Sequence, residues 1–221
     1  MKPSIDLGYT IPQGFFGLPA LDDPEVLADE LQPRIAQIST AAGVEAQKLR
    51  DLYGTVFGSL IAAGAVYIGF GYFRADDGSV STATLNVFVK GSPETKAHIA
   101  AAQILAAHSE GGSAHTPGMS ATAVELPCGP AVFVMRMTLP PSDVGEAPPA
   151  AWQAQAVIPM PGAQRVVVID LSTASVTDAA YYAGVLDGIA RTVTFGTPTP
   201  PRQQTSEGSS PVLSNITRVL G

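Results

Sequence analysis

The chain has a single cysteine, few charged residues and no run of lysines or arginines. One cysteine cannot form an internal disulfide, which excludes a disulfide-stapled scaffold. With 12 basic and 19 acidic residues the net charge is −7, and an acidic chain without a basic patch argues against nucleic acid and anionic membrane surfaces as partners. Charged residues make up only 14% of the chain and apolar residues 46%, which is enough apolar material for a packed core.

The first residues, MKPSIDLGY, also lack the apolar stretch that a secretory signal places behind its basic start. The free thiol of the single cysteine fits a reducing compartment. Together these features predict a cytoplasmic protein.

One segment has the length of a membrane span, because residues 52–73 are 22 consecutive uncharged residues. Its first half, however, places Leu52, Val56 and Leu60 on one face at helical spacing. Its second half is rich in aromatic and β-branched residues, which favour a strand, and Gly64 lies between the halves where a helix ends. The pattern predicts a helix followed by a strand, and no membrane span.

Periodicity and turn residues divide the rest of the chain into short elements. Residues 9–19 are predicted to form a short strand and a turn. The predicted helices cover 23–32, 44–63, 93–109 and 177–190, and the further predicted strands cover 65–74, 79–90, 120–126, 131–139, 151–158, 164–172 and 192–195. Consecutive strands joined by tight turns pair antiparallel. The sequence therefore predicts an α+β fold: a single antiparallel sheet of about six or seven strands, with helices packed mainly on one face.

Motifs that carry chemistry are weak or missing, so we predict no catalytic, cofactor-binding or metal-binding residues. Gly69 and Gly71 belong to a strand and do not open a helix as a phosphate loop requires. His98 and His108 are ten residues apart, whereas zinc ligands on a helix are spaced three or four apart. Cys128 lies in a turn between two prolines and is interpreted as a small packing residue, with a nucleophile as the alternative.

Two charged residues interrupt apolar strands: Arg136 and Asp170. Because side chains alternate along a strand, both are expected on a solvated face; if both faced the core they would have to pair.

The C-terminal residues change composition. Residues 1–195 are predicted to form the α+β domain, and residues 196–211, rich in Pro, Ser, Thr and Gly, a flexible linker. Residues 212–221 regain aliphatic side chains at helical spacing, which predicts a short amphipathic docking segment. Its predicted partner-binding residues are Val212, Leu213, Ile216, Val219 and Leu220.

Three runs in the second half are distinctive: AVELPCGPAVFVMRM at 123–137, WQAQAVIPMPGAQRVVVIDLSTAS at 152–175 and YYAGVLDGIARTVTF at 181–195. They resemble a group of uncharacterised actinobacterial proteins. The layout of residues 10–195 is similar to the PsbP-like fold, which includes Ran-binding Mog proteins, small bacterial lipoproteins and Eag-type chaperones of secreted effectors. The resemblance implies a non-catalytic binding or scaffolding domain and assigns no functional residue here.

The leading hypothesis is a non-enzymatic protein-binding adaptor or chaperone-like protein, associated with a secretion system or a protein assembly. Its partner is another protein or a second copy, bound through the C-terminal segment or the sheet. The alternative is a small-ligand-binding protein or enzyme with a pocket between sheet and helices, which convergent buried polar groups would support. A purely structural oligomeric subunit is the third possibility.

Overall fold

The computed structural model describes residues 7–18, 26, 29, 31–33, 35–36, 45–74, 80–138 and 150–196. The predicted docking segment lies outside these residues, and so does the predicted linker apart from Gly196. Described residues between 26 and 36 have helical backbone, and Ile35 among them is buried.

The elements follow the predicted order closely. The strands are β1 (Leu7–Gly8), β2 (Phe15–Gly17), β3 (Ala65–Arg74), β4 (Val80–Gly91), β5 (Met119–Leu126), β6 (Gly129–Thr138), β7 (Ala151–Pro159), β8 (Arg165–Thr173) and β9 (Thr194–Phe195). The helices are α1 (Ala46–Ala62), α2 (Ala97–His108) and α3 (Ala179–Arg191), the last preceded by a 3₁₀ turn at Val176–Asp178.

The break between α1 and β3 confirms the helix-plus-strand interpretation of residues 52–73. Gly64 adopts φ +90°, a conformation that L side chains rarely take, and its N–H donates to the carbonyl of Ile61. No helix in the described ranges is long and apolar enough to cross a bilayer.

Seven strands form one antiparallel sheet in the order β2-β3-β4-β8-β7-β6-β5, while β1 pairs with β9 in a separate two-stranded ribbon. The α+β prediction is therefore confirmed. Apart from the edge strand β2, the sheet consists of a β3–β4 hairpin and a β5–β6–β7–β8 meander. The two are joined where β4 pairs with β8, from Ala83–Thr173 to Gly91–Arg165, a pairing that we call the β4–β8 seam.

Helices α1 and α2 cover one face of the sheet, as predicted. Phe57 of α1 packs in a core cluster with Ile68 and Phe88, and Ala101 of α2 packs with Val132 and Val134. The α2 helix begins at Ala97 instead of at the predicted residue 93. Just before it, the Glu94 carboxylate accepts the backbone N–H groups of Thr95 and Lys96.

Helix α3 covers the opposite face. The hydroxyl of its buried Tyr182 lies 2.8 Å from that of Ser81, and Ser81 shares this face of β4 with Leu85. Leu85, Ile169 and Leu171 are fully buried on the same face, so this side of the sheet carries a continuous apolar layer.

Candidate functional site

Polar side chains form a row across the middle of the sheet, on the face that α1 and α2 cover. Asn86, Asp170 and Gln155 are cross-strand partners on β4, β8 and β7. The next pairs along the strands place Thr84 beside Ser172, and Gln153 between Ser172 and Arg136. We refer to these seven residues as the polar row.

Hydrogen bonds connect most of the row. The side-chain amide nitrogens of Gln153 and Gln155 both donate to Oδ2 of Asp170, the latter over 2.6 Å. Arg136 Nε donates to Oε1 of Gln153 over 2.6 Å, so the guanidinium reaches the carboxyl group through an amide. The hydroxyls of Thr84 and Ser172 lie 2.7 Å apart.

The inner end of the row is buried. Asp170 is 6% exposed and Asn86 8% exposed. Burial raises the pKa of Asp170, against the opposing effects of the two glutamine amides and the charges of Arg136 and Lys90. The Oδ1 atom of Asn86 is buried and has no hydrogen-bond partner within the described part of the chain.

These positions correct the expectation that Arg136 and Asp170 both lie on a solvated face. The two residues share a face and Arg136 is exposed, but Asp170 is buried. The period-two pattern of one strand separates its two faces but cannot show which positions of a face are buried. Sequence reasoning also missed Asn86, Gln153 and Gln155; the glutamines at alternate positions of β7 were the available signal.

The free edge of the sheet lies next to α2. Strand β5 ends the sheet and, among the described strands, pairs only with β6, in continuous register over all eight of its residues. Within β5 Glu125 is the only charged residue, and there is no proline. An edge strand of this kind presents unpaired backbone groups, and folded proteins usually protect such edges with lysines, prolines or bulges.

A shallow groove of about 320 Å³ lies between α2 and this edge. It is lined by the exposed side chains of His98 and Glu125 and by small and aliphatic residues. The small and aliphatic residues are Ala101, Ala102, Leu105, Ala123, Val124, Pro130 and Ala131. The groove shares no residue with the polar row.

His108 on α2 and His115 in the loop after it each bind a backbone carbonyl through a ring nitrogen. His108 Nδ1 lies 2.8 Å from the carbonyl oxygen of Ile104, and His115 Nδ1 lies 3.1 Å from that of His108; each ring nitrogen donates to its carbonyl. Among the residues that the structure describes, no group of three or more His, Cys, Asp or Glu is placed to hold a metal ion.

Cys128 lies in the β5–β6 turn and is half-buried. Burial raises the pKa of its thiol, and the nearby Glu125 carboxylate adds to that rise. A raised pKa keeps the thiol protonated at neutral pH, so Cys128 is a poor nucleophile.

No protein-family model matches the chain, and no curated protein matches it. The similarity to PsbP-like domains therefore stays a prediction.

Proposed function

We propose that this protein is a non-enzymatic protein-binding module of the cytoplasm, an adaptor or chaperone-like protein that holds a protein strand on its β5 edge. The observation that carries the proposal is the edge itself: eight residues in unbroken register, with one charge and no proline, beside an apolar groove. Added strands gain affinity from main-chain hydrogen bonds and specificity from neighbouring pockets.

The two ends of the sheet support this assignment. The opposite edge strand, β2, has only three residues and offers little backbone to a partner. On β5 the side chains of Ser120, Thr122 and Ala123 are exposed.

The experiment is hydrogen–deuterium exchange on the untagged protein, alone and in the complex purified from its native cells. We expect slower exchange of the β5 amides in the complex. Thr122→Lys, which adds a charge to the edge, should abolish both the complex and the slower exchange. Thr138→Lys adds the same charge at an exposed position of β6 and should leave both intact. Unchanged β5 exchange in every complex recovered would disprove the proposal.

A second candidate function, binding of a small polar ligand, is favoured by one observation. Within the described residues Asn86 Oδ1 is a buried acceptor without a hydrogen-bond partner, and Asn86 is the cross-strand partner of Asp170. Such an acceptor suits a ligand with hydrogen-bond donors. Screening small amines and amides by side-chain NMR shifts of Asn86 tests it. Shifts in the wild type that vanish in Asn86→Leu would support it, and shifts that persist in this variant would exclude this site.

A further inference from the structure

The β5 edge is complementary to itself when two copies meet antiparallel. A two-fold axis through Thr122 places Met119 opposite Glu125 of the second copy, and Ala121 opposite Ala123. Met119, Ala121, Ala123 and Glu125 all lie on the α2 face of their own strand, since side chains alternate and Ala123 is the cross-strand partner of Val132 in the α2 core cluster. The pairing therefore keeps the α2 faces of both copies on the same side.

This register also balances charge. Met119 is the cross-strand partner of Arg136, so Glu125 of the second copy would lie two strands from Arg136, about 9–10 Å between Cα atoms at the usual strand spacing. Extended glutamate and arginine side chains bridge that separation. Arg136 uses only Nε toward Gln153, and a guanidinium has further N–H donors.

Glu125 and Arg136 are the only charged residues of β5 and β6. The two-fold axis places Glu125 of each copy near Arg136 of the other, so two equivalent ion pairs form. On the opposite face of the strand the axis brings Thr122 against Thr122, a favourable cross-strand pair, and Ser120 against Val124. A symmetric dimer needs this kind of self-complementary patch.

We propose that the strand bound on β5 belongs to a second copy of this chain, paired antiparallel about a two-fold axis at Thr122, so that two seven-stranded sheets join into one. This inference rests on the proposed function and names the partner for its binding edge. The groove beside α2 is then flanked by the second copy's β5.

The experiment is site-directed crosslinking of the full chain, with Cys128→Ser in every variant. Thr122→Cys places two thiols on the axis, where paired Cα atoms lie about 4.5–5.5 Å apart, within the range of a disulfide. Ser120→Cys on the same strand is the matched control, because its two copies lie about 13 Å apart along the strands. Oxidation with copper–phenanthroline should convert most of the Thr122→Cys protein to a covalent dimer and little of the Ser120→Cys protein.

Charge reversal provides the second measurement. Glu125→Arg should raise the dimer dissociation constant at least tenfold by sedimentation equilibrium, and Glu125→Arg with Arg136→Glu should restore most of that loss. A monomeric wild type, or equal crosslinking of Thr122→Cys and Ser120→Cys, would overturn the second-copy inference. If β5 is then protected in a complex with a different protein, the proposed function stands without it; if β5 is never protected, both fail.

Discussion

The two faces of the seven-stranded sheet differ in the kind of side chains that they bury. The α3 face is an apolar layer in which Leu85 and Leu171 are fully buried. Its described side-chain contacts with the helix include the Ser81–Tyr182 hydroxyl pair and the edge-to-face packing of Phe73 on Tyr181 and Tyr182. The α1/α2 face has an apolar part and, beside it, the polar row. Apolar burial is non-directional, whereas a buried carboxyl group needs hydrogen-bond partners in place. We therefore expect the α3 face to contribute most to the stability of the fold. On the other face, the hydrogen bonds of the polar row require one particular arrangement of side chains.

The largest effect should come from the apolar face. Leu171→Ala removes a side chain that is 0% exposed and leaves a cavity, so we expect a loss of about 2–5 kcal/mol in the free energy of unfolding. Val56→Ala, at a position 43% exposed on α1, should change it by less than about 0.5 kcal/mol. Chemical denaturation measures both, and similar losses would contradict the assignment of Leu171 to the core.

The polar row should give the next largest effect. Asp170→Ala removes the acceptor of the Gln153 and Gln155 amides and should cost about 1–3 kcal/mol of unfolding free energy. The control is Thr82→Ala, at an exposed position of the same face, which should be nearly neutral. If Asp170→Ala were as mild as the control, the row would contribute nothing to stability.

The polar row should also make the free energy of unfolding depend on pH, through the ionisation of Asp170. Because burial raises the pKa of Asp170 above its ordinary value of 3.8, the folded protein holds this proton more tightly than the unfolded chain. The contribution of Asp170 is therefore most favourable below pH 3.8 and is lost as the pH rises through the raised folded pKa. Subtracting the pH profile of Asp170→Asn from that of the wild type should isolate a difference that falls with rising pH, and a difference that rises would show the opposite pKa shift.

The smallest effect should come from the hydroxyl pair beneath α3. Tyr182→Phe removes the 2.8 Å contact with Ser81 and leaves the ring packing intact, which should cost about 0.5–1.5 kcal/mol. Tyr181→Phe changes an exposed neighbour and serves as the matched control. Equal thermal stability of the two variants would mean that the buried pair contributes nothing.

The sequence predicts the helices and strands well, but it predicts less well which of their residues are buried and which strand lies at the edge of the sheet. Gly64 and the apolar stripe before it locate the end of α1, since both signals are local. The placement of Asp170 is not local, because its neighbours Asn86 and Gln155 come from two other strands. The same limit applies to β5, whose sequence indicates a strand but does not show that it ends the sheet.

The β4–β8 seam has a consequence for how the chain acquires its structure. The hydroxyl contact between Thr84 and Ser172 joins residues 88 positions apart, whereas the other central pairings connect neighbours along the chain. Distant pairings carry the larger loop-closure entropy and slow folding. During synthesis β3 and β4 leave the ribosome long before β8. One backbone edge of β4 therefore stays unpaired until β8 has also left the ribosome. We expect this interval to be the stage at which the nascent protein is most prone to aggregation.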